Sequence, residues 1–593
     1  MRRLRHAICL LAVTVIMGCY DYDGGPDIRP QRDITQCFDA DGKAWLTLSF
    51  DLSQPPSPTP ATRGMFGDGD EAGHTIKTLT LVLFHGPQTA AEEALTVATT
   101  YTIGYASLKH HDSQVTHHSS ATIQISRDYL DTGDRLCLLA IANMTPNITT
   151  GQTFASVRNM ESGSLTTTID GTDYFVMTNS PTATANDGSG EVGTLVEVSP
   201  DDLFPTAEEA EQHPTSEVYL ERAAARLTVT QAVSPMAILG NRDISFTDED
   251  LRFALCNYNQ QCYLIRHFDQ AWLSYNASNR GYRFTEPQVL PSGRYRTYWA
   301  QDVNYDGTGR QLTALGNWYL IGESLCLAEN TSDVGHMTGE QSTAVIIGLQ
   351  LNGGNDFYTA STTGSDIIYQ LPENSLEEEG TSAHSTFARR LSPTFSQQRS
   401  ARVSTAKTID EYLRQWLMQT NSDFRQWVND YASGQPRHVH ISVETADNGL
   451  DRALVTAVTQ TARTSGQGIA DFNSLQLADY LNHNITLRYY HAGRCFYHVP
   501  IRHFDDTLAP WQSPTAATDN SAAQTYGDNA NDYLGRYGVV RNNWYMLNIS
   551  SISHVGSPVT PSGTSTTDAD DRVEQLLNTT LTISSWNDQS KDL

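Results

Sequence analysis

Polar and apolar positions alternate with a period of two along much of this chain, the pattern of half-buried strands. The cleanest case is 44–52 (AWLTLSFDL): Ala44, Leu46, Leu48, Phe50 and Leu52 share one face, and Trp45, Thr47, Ser49 and Asp51 the other. A Pro-rich stretch, 53–62, comes next, then Arg63 and a Gly- and acid-rich stretch. Neither composition suits a sheet. Further strands are expected at 76–84, 121–125, 135–142, 174–177, 192–198 and 218–230. Others are expected around 253, 263, 298, 318–320 and 357, and at 343–351, 438–443, 486–490, 495–501 and 544–552. The run 135–142 (RLCLLAIA) is apolar on both faces, as a central strand would be. Near the C-terminus, 573–586 (VEQLLNTTLTISSW) alternates again, with Leu577, Thr579, Leu581 and Ile583 on one face. It follows a second flexible stretch, 557–572. A detached strand therefore stands at each end of the chain, each on a tether.

One segment has the period of a helix. Thr408-Ile409-Asp410-Glu411 fits a capping box, and apolar residues recur at 409, 412, 413, 416 and 417. Ser422 opens a second helical turn set carrying Phe424, Trp427, Val428 and Tyr431, and Gly434 and Pro436 stop it. With the polar loop before it, this predicts a helical insertion at 371–435. The fold class is all-β: two β-sandwich domains, 64–215 and 216–556, the second carrying the insertion. Residues 557–593 form a linker and a terminal strand.

The N-terminus supplies an address. Arg2, Arg3 and Arg5 precede an apolar run at 7–17. That run is too short for a bilayer, which needs roughly 20 residues, and reads as the core of a signal peptide. Val15-Ile16-Met17-Gly18-Cys19 looks like a bacterial lipobox. Residues 1–18 are the expected signal, Cys19 the lipidated residue, and 19–63 a propeptide. Six further cysteines are expected mostly as buried thiols, Cys137 and Cys326 lying inside apolar runs; a Cys256–Cys262 bridge is the alternative.

Charge narrows the partners. The net charge is −28, from 39 basic and 67 acidic residues. Nucleic-acid affinity rests on clustered Lys and Arg, so a nucleic-acid partner is excluded. Asp302-x-Asn304-x-Asp306-Gly307 has alternating oxygen ligands, as a calcium loop does. Thr313 stands where that loop wants Glu, and a plain turn is the simpler reading. His110, His111, His117 and His118 read as a polar loop. No G-x-S-x-G, H-E-x-x-H or P-loop is present. No enzyme activity and no cofactor is expected.

The two tethered strands suggest a mechanism. Suppose the first fills a slot in the first domain. A cut after Arg63 frees it, and the slot then exposes unpaired backbone and an apolar groove. The C-terminal strand of another copy can insert there. Such a contact is head-to-tail, so its repetition gives an open filament. Arg29 and Arg32 precede the strand, so a cut there frees nothing; Arg389, Arg390, Arg399 and Arg402 are the rival sites.

Several segments carry a family resemblance: ATRG at 61–64, VYLERAAARLTV at 218–229 and CLAENT at 326–331. GRCFY at 493–497, GVVRNNWY at 538–545, ISSISHVG at 549–556 and the terminal LTISSW also match. With these the chain resembles the fimbrillins of Bacteroidetes surface fimbriae (type V pili), most closely the shaft subunit of the minor fimbriae. The insertion at 371–435 does not map onto that family. The resemblance implies transthyretin-like sandwiches and a lipoprotein precursor, anchored by lipid before maturation. It also implies an Arg-specific protease cutting between Arg63 and Gly64, and assembly with other copies and accessory fimbrial subunits. An outer-membrane precursor then becomes a cell-surface fimbria. An accessory or tip subunit, and a glycan-binding lipoprotein that never polymerises, are the alternatives.

Overall fold

The computed structural model describes residues 34–51, 75–112, 117–214, 216–231, 251–275, 283–306, 312–337, 341–350, 357–362, 367–370, 409–429, 439–445, 453–460, 474–504, 533–552, 556–560 and 577–585. Strands dominate. The first unit contains β1 (Lys43–Asp51), β2 (Thr78–Pro87), β3 (Thr96–Gly104), β4 (Lys109–Asp112) and β5 (His117–Ser126). It continues with β6 (Asp134–Ala142), β7 (Met177–Asn179), β8 (Val196–Val198) and β9 (Ser216–Arg222). They form one sheet in the order β3-β2-β6-β7-β9-β1-β5-β4, with β8 beside β6. The sheet curls until its wings meet: Tyr101 of β3 donates its hydroxyl to the Gln124 carbonyl of β5 at 2.7 Å. The curl encloses Leu79, Leu81 and Leu83 of β2, Leu136 and Leu138 of β6, and Ile123 and Ile125 of β5, all buried. As its sequence implies, β6 is buried on both faces; Cys137, Leu139 and Ile141 join a second cluster with Phe84 and Phe154.

The second unit opens with β10 (Ala225–Gln231), β11 (Arg252–Cys256), β12 (Trp318–Leu320), β13 (Ser324–Leu327) and β14 (Ala344–Gln350). The chain then leaves for an inserted unit: β15 (Phe357–Thr362), β16 (Ile367–Gln370), α1 (Ile409–Thr420), α2 (Ser422–Asn429), β17 (Val439–Thr445), β18 (Ala453–Gln460), α3 (Ser474–Asn484) and β19 (Ile485–Tyr490). It returns with β20 (Arg494–Pro500), β21 (Asn543–Ile552) and β22 (Leu577–Ser585). Sheets β13-β10-β21-β22 and β12-β11-β14-β20 sandwich a core of Leu227, Val229, Phe253, Ile347, Tyr497, Tyr545 and Leu547.

Four sequence expectations need correction. His110, His111, His117 and His118 were expected in a polar loop, but they lie in the paired strands β4 and β5, where His111 stands opposite His118. The run 218–230 was expected as one strand of the second domain. It divides at Ala223–Ala224 into β9, in the first sheet, and β10, in the second, so the 215/216 boundary moves past Arg222. The insertion is wider than 371–435. Strands near 357, 439 and 486 pair as β16-β15-β19-β18-β17, a sheet of their own. Helices α1 to α3 pack Tyr412, Leu413, Leu417, Phe424, Leu477 and Leu481 onto it, beside Ile441, Val455 and Leu487. Cys326 is exposed, because β13 is an edge strand, whereas Cys137, Cys256, Cys262 and Cys495 are separate buried thiols.

Candidate functional site

The first strand lies in the middle of the first sheet. On one side β1 pairs antiparallel with β5 along its whole length, from Lys43 opposite Ser126 to Asp51 opposite His118. On the other it runs parallel to β9, from Leu48 opposite Ser216 to Asp51 opposite Tyr219. Phe204 completes that side: Trp45 N–H donates to its carbonyl at 2.7 Å, and its own N–H returns to the Trp45 carbonyl at 2.9 Å. Both edges of β1 are thus paired, the first as far as its end and the second by two separate pieces of chain.

Alternation predicts which residues turn inward. Ala44, Leu46, Leu48 and Phe50 are each 0% exposed and belong to the core enclosed by the curled sheet. On the opposite face Thr47 shares a 2.9 Å hydrogen bond with Thr122. The strand ends at Asp51, so Leu52 lies outside the described residues, as do Cys19, Arg63 and Gly64. The chain is pinned again by Asn143, whose side chain accepts from Lys77 N–H at 2.7 Å and donates to the Thr75 carbonyl at 2.9 Å. Removing β1 would leave β5 and β4 without their link to β9.

Residues upstream of the alternating run, missed from the sequence, also belong to this core. A 3-10 turn, Ile34–Cys37, precedes β1, and Ile34, Cys37 and Phe38 pack into the same core. A second omission is the short helix Ala207–Gln212 after Phe204, in a connection read only as acidic and Pro-flanked. The signal for the first was visible: an apolar cluster immediately upstream of the alternating run.

At the other end, among the described residues, β22 pairs antiparallel with β21 alone, as the edge of its sheet. The register sets Thr579 opposite Ile549, Leu581 opposite Leu547 and Ile583 opposite Tyr545. Directly opposed residues share a sheet face. The face of these three positions is therefore the one on which Tyr545, Leu547 and Ile549 are buried. Leu577 stands opposite Ile552 at the start of the ladder.

Asp302 and Asn304 are buried at the base of a turn, 3% and 2% exposed. The Asp302 carboxylate accepts N–H donors from Asn304 at 2.9 Å, from Thr331 at 3.1 Å and from the Asn259 side chain. Burial raises its pKa to about 8 against those hydrogen bonds. Its oxygens therefore already serve backbone and amide donors, which organise the loop. Asp306 is exposed, and no cluster of three acidic, His or Cys side chains fit for a metal occurs among the described residues.

Comparison with known proteins places the C-terminal part. Residues 488–592, from within β19 through β22, match the family model for the C-terminal region of fimbrillin, the major fimbrial subunit protein type IV. No curated protein sequence matches the chain. Among solved structures, a fimbrilin from Porphyromonas gingivalis W83 aligns at 13% identity and a TM-score of 0.31, over 91% of this chain and 97% of that one. A fimbrial assembly protein from Parabacteroides distasonis aligns at 8% identity and 0.24, over 52% and 82%. A C-terminally truncated tip fimbrial protein from Porphyromonas gingivalis aligns at 10% and 0.26, over 87% and 97%. Residues 488–592 are therefore similar to the C-terminal region of fimbrillin.

Proposed function

We propose that this chain is a structural subunit of a cell-surface fimbria that polymerises by strand replacement. It is exported as a precursor anchored by lipid on Cys19. An Arg-specific protease cuts between Arg63 and Gly64, and residues 34–51 leave the first sheet. The C-terminal strand of a neighbouring copy, carrying Leu577, Thr579, Leu581 and Ile583, takes the place of β1. The role is structural and needs no catalytic residue or cofactor.

One observation carries this reading. β1 is central in its sheet, with four inward residues fully buried, yet the chain joining it to β2 runs through 52–74, where the Pro-rich and Gly-rich stretches and Arg63 lie. A strand so placed contributes its core residues from a segment that one cut can detach. The vacated slot is nine residues, about 30 Å, long. The stretch 561–576 reaches at most roughly 50 Å, enough to deliver a strand to a neighbour. Residues 1–63 carry seven basic and seven acidic residues, so the mature subunit keeps the whole charge of −28. That charge holds filaments apart in solution.

Deletion tests the exchange. Cleaved subunits lacking 573–593 should stay monomeric, while the intact cleaved subunit forms a ladder of oligomers on native gels. Filaments of normal length from the deleted subunit would overturn strand replacement by the C-terminus. A glycan-binding lipoprotein would instead keep its lipid and remain a monomer whether or not it is cut.

A further inference from the structure

The joint between the two large units is built from buried charge. Glu221, at the end of β9, takes the Nε–H of Arg266, shared between its oxygens at 2.8 and 3.1 Å. Arg541 donates to Glu329 at 2.8 Å and to the Leu264 carbonyl at 3.1 Å. Asn542 takes Arg222 Nη1 at 3.1 Å and the Arg222 N–H at 3.3 Å on its side-chain oxygen. These residues surround a polar cavity of about 20 Å³ lined by Ser180, Glu221, Arg266, Arg296, Arg541 and Asn542 among others. A polar cavity needs about 10–15 Å³ to hold one water, so this one has room for a single occupant little larger than that.

Its lining offers donors and positive charge. The Nε–H of Arg541, a residue 1% exposed, makes no hydrogen bond among the described residues. The Asn542 oxygen is engaged, so its Nδ2 is left to donate, and Ser180 accepts from Arg266 at 3.3 Å, leaving its O–H to donate. The cavity's carboxylate, Glu221, is already held by Arg266, and Glu329 by Arg541. For Arg222, which donates to Asn542, burial and then Arg226 bring the pKa down to about 9. A donor-rich, cation-lined hole favours an anion over a water, which would also need acceptors.

We propose that this cavity binds one small monatomic anion, chloride in the native setting, between Arg541 Nε, Asn542 Nδ2 and Ser180 Oγ. The ion would neutralise the joint and fasten β9–β10 to the loop before β21. No part of this depends on strand replacement.

The test is unfolding of the full chain by urea, with chloride exchanged for gluconate at constant ionic strength. Above saturation, each tenfold rise in chloride should lower the unfolding constant about tenfold. Asn542→Asp is isosteric, keeps the acceptor for Arg222 and supplies a fixed negative charge. Its stability should not respond to chloride. No chloride response in the native chain, or an equal response in Asn542→Asp, overturns the site. If that variant does not fold, crystals of the native chain grown in bromide decide. An anomalous peak within hydrogen-bond reach of Arg541 Nε supports the site, and an ordered water without a peak refutes it.

Discussion

Phe50→Ala in β1 separates the precursor from the filament. The ring is 0% exposed and sits in the core with Leu46 and Leu48. Truncating a buried Phe costs about 3–5 kcal/mol, from lost transfer energy plus the cavity left behind. At 1.4 kcal/mol per decade, the slot's opening equilibrium rises by roughly two to four orders of magnitude. Urea unfolding of the uncleaved precursor should show the loss as a lower midpoint. The uncut variant should also form some oligomers, because a neighbour's strand now competes with a weakened plug. Filaments assembled after cleavage should match native ones in urea resistance, since Phe50 has left. Leu581→Ala should do the reverse, sparing the slot of the precursor and weakening filaments by about 2 kcal/mol or more per contact. Filaments from cleaved Phe50→Ala that dissociate at lower urea than native ones would refute the reasoning, because the first strand would then still be present.

Other outcomes follow from the same structure. Arg541→Met strands the buried Glu329 carboxylate and should cost about 3–5 kcal/mol; Arg541→Met with Glu329→Leu should recover much of it. Gly538 has φ +145° and its missing Cβ would stand 2.8 Å from the Trp299 ring, so Gly538→Ala should destabilise by about 1–3 kcal/mol in urea. The imidazoles of His267 and His498 are held at about 4, chiefly by burial, against 6.5 when unfolded. Protons therefore bind the unfolded chain more readily. The stability they contribute is full above pH 6.5 and is lost as pH falls toward 4, on the order of 3 kcal/mol each. NMR titration should find both rings neutral at pH 5, and rings that protonate near 6.5 would contradict their burial.

The terminal strands were legible because each is a clean alternating run set off by Pro, Gly and Ser. β6 was legible for the opposite reason: seven continuous apolar residues, 136–142, need cover on both faces. The split at Ala223–Ala224 was not: the inward positions change from Val218 and Leu220 to Ala225, Leu227 and Val229, but alanine suits either face and hides the change of phase, so only pairing partners reveal the change of sheet. The inserted unit escaped because β15 and β17 to β19 look like any other strands. Their association in one sheet is set by contacts between distant segments, which periodicity does not encode. The charged joint was hidden for the same reason: Glu221, Arg266, Glu329 and Arg541 are far apart in sequence and meet only after both units fold. In the candidate site, the inward residues of β1 were read from the pattern, whereas Phe204 and the core contacts of Ile34, Cys37 and Phe38 needed the structure.

The central claim is that the first strand leaves. Mass spectrometry of the subunit N-terminus in filaments sheared from the cell surface tests it most directly. The account predicts chains that begin at Gly64 and lack Lys43–Asp51. Filament subunits that still carry that strand would contradict it.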